Sequence, residues 1–339
     1  MPPRPARVIV VQFLESERTC ASVASQEHAD DLSTLEAVRT PAALDTVSRR
    51  EIYDRPSTAS PLIPEYSSDD VLPGPARLTR FMGVPMGVVT EADAVRAIVD
   101  AAEADSGHWT ITANLDHIRR YRRDPVQRTL IDDANLVVAD GMPLIWASRL
   151  AGEPLPERVS GSSMVWSICE AASDRGQSIF LLGGDPGVAE RAADIFRDTY
   201  PGLEIAGTGC PPVGFEDNDQ ELDLIKRHLT EAAPRIVFVA LGFPKQDLLI
   251  RSLRNSLPGA SFLGVGISLS YATGDLSRAP GWICQLGLEW AYRLGQEPTR
   301  RLVRRYIVDG VPFALRLMIS AARHRVRRGS HRNFESWDD

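Results

Sequence analysis

The chain is poor in cysteine. It has four in 339 residues, at Cys20, Cys169, Cys210 and Cys284, and no CxxC pair. That spacing offers neither a zinc site nor a disulfide framework, and it fits a reducing cytosol. No His/Cys cluster exists either, so no bound catalytic metal is expected. No apolar run approaches the roughly 18 residues of a spanning helix. The apolar run Val8 to Leu14 is too short for a signal peptide and lacks a cleavage signature, so any membrane contact is expected to be peripheral. GxGxxG and the P-loop are both missing, which gives little support to a dehydrogenase or an NTPase. The net charge of −7 argues against a general nucleic-acid binder.

What is present is ordinary in bulk and uneven in placement. Hydrophobic content of 43% and charged content of 24% suit a soluble globular protein. Residues 1–75 carry 7 Arg against 12 Asp or Glu, whereas residues 286–332 carry 11 Arg against Glu289, Glu297 and Asp309. An acidic head and a basic tail are therefore hidden in the average.

Three segments follow. Residues 1–76 are rich in Ser, Ala, Thr, Pro and acids with weak periodicity, and read as a largely disordered extension. One strand near Val8–Phe13 has no obvious partner. Residues 77–284 alternate strand and helix. A hairpin at 78–89 turns at Met82–Pro85, and Thr90 caps a helix to Ala102. Strands are expected at 109–114, 135–140, 177–182, 203–207, 235–241 and 261–265. Helices are expected at 143–150, 162–175, 188–199, 219–232 and 247–256. This pattern implies an α/β fold, a Rossmann-like, mostly parallel sheet with helices on both faces. Residues 285–339 form a basic helical appendage, broken near Pro298 and Pro312 and fraying from Arg323.

The polar residues at strand ends carry the chemistry, because side chains leave an open sheet at its carboxyl edge. Thr112, Asn114 and Asp140 end two strands one βαβ unit apart. Asp140 suits a general base, or alternatively a cap for the helix that begins near Pro143. Gly183, Gly184 and Asp185 open a strand-to-helix turn that suits phosphate, or simply needs glycine. Gly242, Pro244, Lys245 and Gln246 form a second strand-end loop, in which Lys245 can neutralise a diphosphate and Gln246 can read hydroxyls. Arg158 reads as a bidentate phosphate donor or a surface ion pair. His108, His117 and His228 are isolated, as solvated or helix-face groups. In the tail, arginines beside Trp290, Tyr306 and Phe313 suit an anionic membrane surface, a subunit interface or a helix packed on the core.

The ordered strings Thr112-Ala-Asn114, Ala139-Asp-Gly-Met-Pro143, Pro156-Glu-Arg-Val-Ser-Gly161, Phe180-Leu-Leu-Gly-Gly-Asp-Pro-Gly187, Tyr200-Pro-Gly202, Leu241-Gly-Phe-Pro-Lys-Gln-Asp247, Gly264-Val-Gly266, Arg278-Ala-Pro280 and Leu288-Glu-Trp-Ala-Tyr-Arg-Leu294 together resemble one family. It is the WecG/TagA/CpsF family of bacterial glycosyltransferases. The resemblance runs from about 80 to 306.

It implies an inverting, metal-independent transfer of N-acetylmannosamine or a related hexose or uronic acid. The donor is a UDP-sugar, and the acceptor is N-acetylglucosamine on a polyprenyl diphosphate. No cofactor is implied. The place of action is the cytoplasmic face of the cell membrane, and a homo-oligomer stays open. By motif, Asp140 matches the general base, Thr112 and Asn114 the pocket pair, Arg158 a phosphate-side Arg, and Gly266 and Gln246 the donor site. Arg293, Arg300 and Arg304 match the basic appendage. The family usually has Asp where this chain has Ser163 and Ser270, and Glu where it has Asp247, which leaves the donor sugar open. A nicotinamide-dependent dehydrogenase and a non-catalytic family member are the competing readings.

Overall fold

The computed structural model describes Ile9–Val11 and residues 77–332, with side chains in the last helix described to residue 327. Six strands form the body of one sheet: β4 (His108–Ala113), β5 (Leu136–Ala139), β6 (Ile179–Gly183), β7 (Ile205–Gly209), β8 (Ile236–Ala240) and β9 (Ser261–Gly264). Every described pairing among them is parallel, in the order β7-β6-β8-β9-β4-β5. β5, β6, β8 and β9 are buried along their whole length. That is the expected sequence of parallel strands covered on both faces.

Period-two alternation divides the side chains between two cores. Phe180, Leu182, Val237 and Val239 join Trp109, Leu144 and Leu249 on one face. Leu181, Ile236 and Phe238 join Ile98, Ile168 and Phe196 on the other. The helices behind the second core are α1 (Glu91–Glu103), α5 (Gly161–Asp174) and α6 (Val188–Thr199). α6 buries Ala189, Ala192, Ala193 and Phe196, one helical face. The first core is covered by α2 (Leu115–Tyr121), α3 (Pro125–Asp132), α4 (Met142–Ala151), α7 (Asp219–Ala232) and α8 (Lys245–Leu253). Thr90 caps α1 in a capping box with Asp93, as its sequence predicts.

Several details differ from the sequence reading. The hairpin of β2 (Leu78–Phe81) and β3 (Val84–Gly87) turns on Met82 and Gly83 alone, both at positive φ. β7 starts two residues late. α8 starts two residues early, so Lys245 and Gln246 belong to its first turn rather than to a loop. The strand expected near Val8 does find a partner. β1 (Ile9–Val11) adds in parallel to β7 at the sheet edge. The rest of the acidic extension lies outside the described residues.

The C-terminal segment carries α9 (Ser268–Ala272), α10 (Gly281–Gln285), α11 (Glu289–Gln296), α12 (Arg300–Val303) and α13 (Val311–Arg332). The break near Pro298 is present. Pro312 does not break the chain. A π-helical stretch, Arg304–Gly310, leads straight into α13, with Pro312 at its second position. Instead of fraying at Arg323, α13 continues to Arg332. Its Phe313, Leu317 and Ala321 share a core with Leu144 and Ile145 of α4.

Candidate active site

The connections leave β6 and β8 in opposite directions across the sheet, a switch point at the carboxyl edge. A cleft of about 1120 Å³ opens there. Its floor is made by the ends of all six strands, and its outer wall by the C-terminal helices. Thr112, Asn114, Asp140, Arg158, Gly184, Asp185, Gly242, Lys245, Gln246, Gly266 and Arg293 all line it. Gly183 and Pro244 do not. Gly183 packs against the Ala240 carbonyl of β8. Arg300 and Arg304 are exposed outside the cleft, whereas their neighbours Arg301 and Arg305 line it.

Asp140 follows β5, and its N–H donates to the Ala113 carbonyl at 2.8 Å. The helix-cap alternative falls away, because Gly141 holds the N-cap of α4 with no side-chain cap bond. The Asp140 side chain keeps 29% of its surface accessible at the cleft floor. Loss of bulk solvation pushes its pKa up to about 6, against opposing pulls from Arg158, Arg278 and the Gly161 N–H. Glu289 at the start of α11 adds to the rise. Arg158 Nη1 donates to Glu289 Oε2 at 2.6 Å and stands 3.9 Å from Asp140 Oδ1. The ion pair expected of Arg158 exists, but inside the cleft rather than on the surface. Glu289 and Arg278 stand in the motif strings, but their influence on Asp140 is not legible there, since each reaches it only through the fold.

Asn114 spends its side-chain oxygen on the α2 N-terminus, accepting from the Asp116 N–H at 3.0 Å. Thr112 Oγ1 reaches the Gly264 carbonyl only at 3.5 Å, a weak contact. Gln246 is buried, and its Oε1 accepts from the N–H groups of Gly242 and Gly266, each at 3.1 Å. It ties the loops after β8 and β9 together, instead of reading hydroxyls with that oxygen. Lys245 is ion-paired with Glu216. Asp247 is fully buried and neither oxygen has a partner of good geometry, although the Gln246 amide lies near enough to lower its pKa somewhat. Desolvation dominates and carries it up to about 7.

His117 departs from the solvated reading. It is buried under Phe243, with ring centroids 4.0 Å apart, and its Nδ1 accepts the Asn114 N–H at 3.2 Å. Burial first, then Arg305, lowers its pKa to about 3. His108 bonds Thr110 at 2.9 Å on β4, and burial lowers it to about 4. Asp116 beside His117 collects Arg119 at 2.7 Å, Arg120 at 2.9 Å and Arg305 at 3.8 Å.

Ser270 lines the cleft, but Ser163 does not. Ser163 Oγ donates to Glu91 Oε2 at 2.6 Å, where α5 packs on α1. The chain's one Asp-x-Asp, Asp217-Asn218-Asp219, opens α7, where Asn218 caps the helix. Among the described residues no three His, Cys, Asp or Glu side chains converge as a metal site.

A parallel α/β sheet with a desolvated carboxylate and a bank of arginines in its carboxyl-edge cleft belongs to the group-transfer class of site. The profile of the glycosyl transferase WecG/TagA/CpsF family matches residues 79–327, and the chain belongs to that family. Three relatives carry the name N-acetylglucosaminyldiphosphoundecaprenol N-acetyl-beta-D-mannosaminyltransferase. The one from Bacillus spizizenii is 28% identical over 198 residues, 58% of this chain and 75% of the relative. That from Bacillus subtilis is 32% identical over 171 residues, 50% and 64%. That from Staphylococcus aureus is 30% identical over 193 residues, 57% and 74%.

Proposed function

We propose that the chain transfers N-acetylmannosamine, or a related hexose or uronic acid, from a UDP-sugar to N-acetylglucosamine on a polyprenyl diphosphate. The observation that carries this is Asp140, a cleft-floor carboxylate with a pKa near 6 in a chain of this family. The relatives' printed names supply the acceptor and the sugar.

The step is one displacement. Asp140 takes the proton of an acceptor hydroxyl, that oxygen bonds to the anomeric carbon of the donor, and the bond to UDP breaks. The configuration inverts. UDP leaves with the electron pair, and its charge is met by cations of the cleft: Lys245, Arg293, Arg301 and Arg305. Lys245 exchanges Glu216 for the diphosphate. Cationic side chains carry this load without a metal, so turnover persists in EDTA.

A lipid-linked acceptor requires work at a membrane surface, and this reading takes it to be the inner face. No described helix is long and apolar enough to cross a membrane, while the exposed Val311, Leu315 and Ile319 of α13 lie among arginines. UDP release is the test. A panel of UDP-sugars is offered with a short-chain lipid-diphosphate N-acetylglucosamine acceptor. Release that requires both substrates supports the reading, and none with any sugar refutes it.

A further inference from the structure

Helix α4 begins two residues after Asp140, and besides the exposed Arg149 its outer side carries large apolar residues. Met142, Trp146 and Leu150 recur at intervals of four, so they lie along one helix face. Met142 and Trp146 line the cleft. Trp146 is 41% exposed and Leu150 38%, although Leu144, Ile145, Ala147 and Ala151 on the inner side are buried. A surface helix ordinarily turns polar residues to that side.

A wall stands beside the stripe. Leu286 is 55% exposed and Leu288 43%. Between them Gly287 lies directly on Trp146. A Cβ there would come within 2.7 Å of Trp146 Cη2 and 2.8 Å of Met142 Cβ. Only glycine lets this segment close over the indole, and the two leucines are its chain neighbours on either side. The patch begins at the cleft and follows the helix from Met142 to Leu150, about 12 Å at 1.5 Å per residue. Contiguous exposed apolar surface of this kind marks a binding site.

The order of chemical groups identifies the occupant. Asp140 is the base, Arg158 stands next to it, Glu289 holds Arg158, and Leu288 and Leu286 lie one and three residues before Glu289 in the chain. A sugar at Asp140 with its diphosphate at Arg158 therefore directs whatever the diphosphate carries onto Trp146 and Leu288. We propose that the isoprenoid chain of the acceptor leaves the cleft along α4, over Met142, Trp146 and Leu150, against the wall of Leu286 and Leu288. This rests on the lipid-linked acceptor proposed above and adds where its tail runs.

The experiment measures binding first, so that it does not depend on turnover. Farnesyl diphosphate and a methyl diphosphate ester are titrated calorimetrically into the full chain, without vesicles. Leu150→Ser, Leu286→Ser and the double variant are compared, with melting temperature as the folding control. The wild type is expected to bind farnesyl diphosphate more tightly than the methyl ester. Each variant should weaken the farnesyl ligand by about three- to tenfold, as loss of apolar contact predicts, and leave the methyl ester unchanged.

Equal affinity of the wild type for both ligands overturns the track. So does an equal loss for both ligands in the variants, or no loss for either. The same variants are also sedimented with vesicles and weighed in solution: loss of vesicle binding alone would assign the stripe to the bilayer, and a change in oligomeric mass alone would assign it to a second copy. Either also overturns the proposal. A separate turnover assay with an N-acetylglucosaminyl diphosphate acceptor reads the functional assignment. No turnover alongside chain-selective binding would refute that assignment and leave the track standing.

Discussion

Arg158 gives its 2.6 Å hydrogen bond to Glu289 and stands 3.9 Å from Asp140. One guanidinium is thus shared unequally between two carboxylates. The one that is less well served sits at the strand end, where desolvation raises its pKa to about 6. An Arg bound directly to Asp140 would hold it fully ionised and a poor proton acceptor. The geometry keeps the charge close enough to orient the base and far enough to leave it basic.

Asp140→Asn should lower kcat by about 10²–10⁴-fold, the usual worth of a positioned base. The melting temperature should hold, because the residue caps no helix. In the wild type the deprotonated carboxylate is the working form. The rate should therefore rise with pH up to about 6 and level off above it. A pH–rate profile flat from 4 to 8 would remove Asp140 from the role.

Glu289→Gln should move the acid limb of that profile to lower pH. The substitution deletes a negative charge that raises Asp140 and releases Arg158 toward it, and both effects have the same sign. The maximal rate should fall as well, because the stronger ion pair makes Asp140 a weaker base. Kinetics at several pH values check this, and an unmoved limb counts against the shared guanidinium.

Gln246 predicts a contrast between two substitutions. Gln246→Glu keeps an acceptor for the Gly242 and Gly266 N–H groups, and should retain most activity. Gln246→Met takes that acceptor from both part-buried N–H groups, at a cost of at most about 1–3 kcal/mol each. Gly264→Ala should resemble the Met variant, because the added methyl would collide with the Gln246 amide. Thermal melts and the Km for the donor test this. Loss of activity in Gln246→Glu with an intact fold would instead mean that the amide touches substrate.

Asp247 should make stability depend on pH. Its folded pKa, about 7, lies above the ordinary 3.8, so the fold favours the protonated form. That contribution is fully present below 3.8 and is lost as pH rises through 7. The linkage is worth on the order of a few kcal/mol. Asp247→Asn should flatten the fall in melting temperature between pH 4 and pH 8, and should stabilise the protein at pH 8. Denaturant titrations at both pH values measure it.

For α13, binding to anionic liposomes should weaken as salt rises past the physiological range. Leu315→Glu with Arg316→Glu should abolish it without changing the melting temperature, since both residues are exposed. Sedimentation with vesicles is the readout, and unchanged pelleting would refute the membrane role of this helix.

The α/β body was legible because its signals are local. Ile236–Ala240 is a five-residue apolar run, and α6 places its apolar residues on one face. Asp140 was legible as an acid at a strand end. The role of Gln246 was not, because its partners come from the loops of two strands, one of them twenty residues on. Charge and periodicity could not choose Arg301 and Arg305 over Arg300 and Arg304. The register of the last helices is set by docking on α4 and by the π-helical stretch before Pro312. His117 looked isolated in sequence. Phe243, which buries it, is distant in the chain and adjacent only after β4 and β8 enter the same sheet.

The Arg158–Glu289 pair joins residues 131 positions apart. At about 5–20 residues per second, a ribosome needs on the order of ten seconds to travel from one to the other. During that interval Asp140 and Arg158 are already part of the chain and Glu289 is not. The carboxylate within reach of Arg158 is then Asp140 itself. A nascent chain would hold its base in a full ion pair, and the competence to take a proton would arrive with α11.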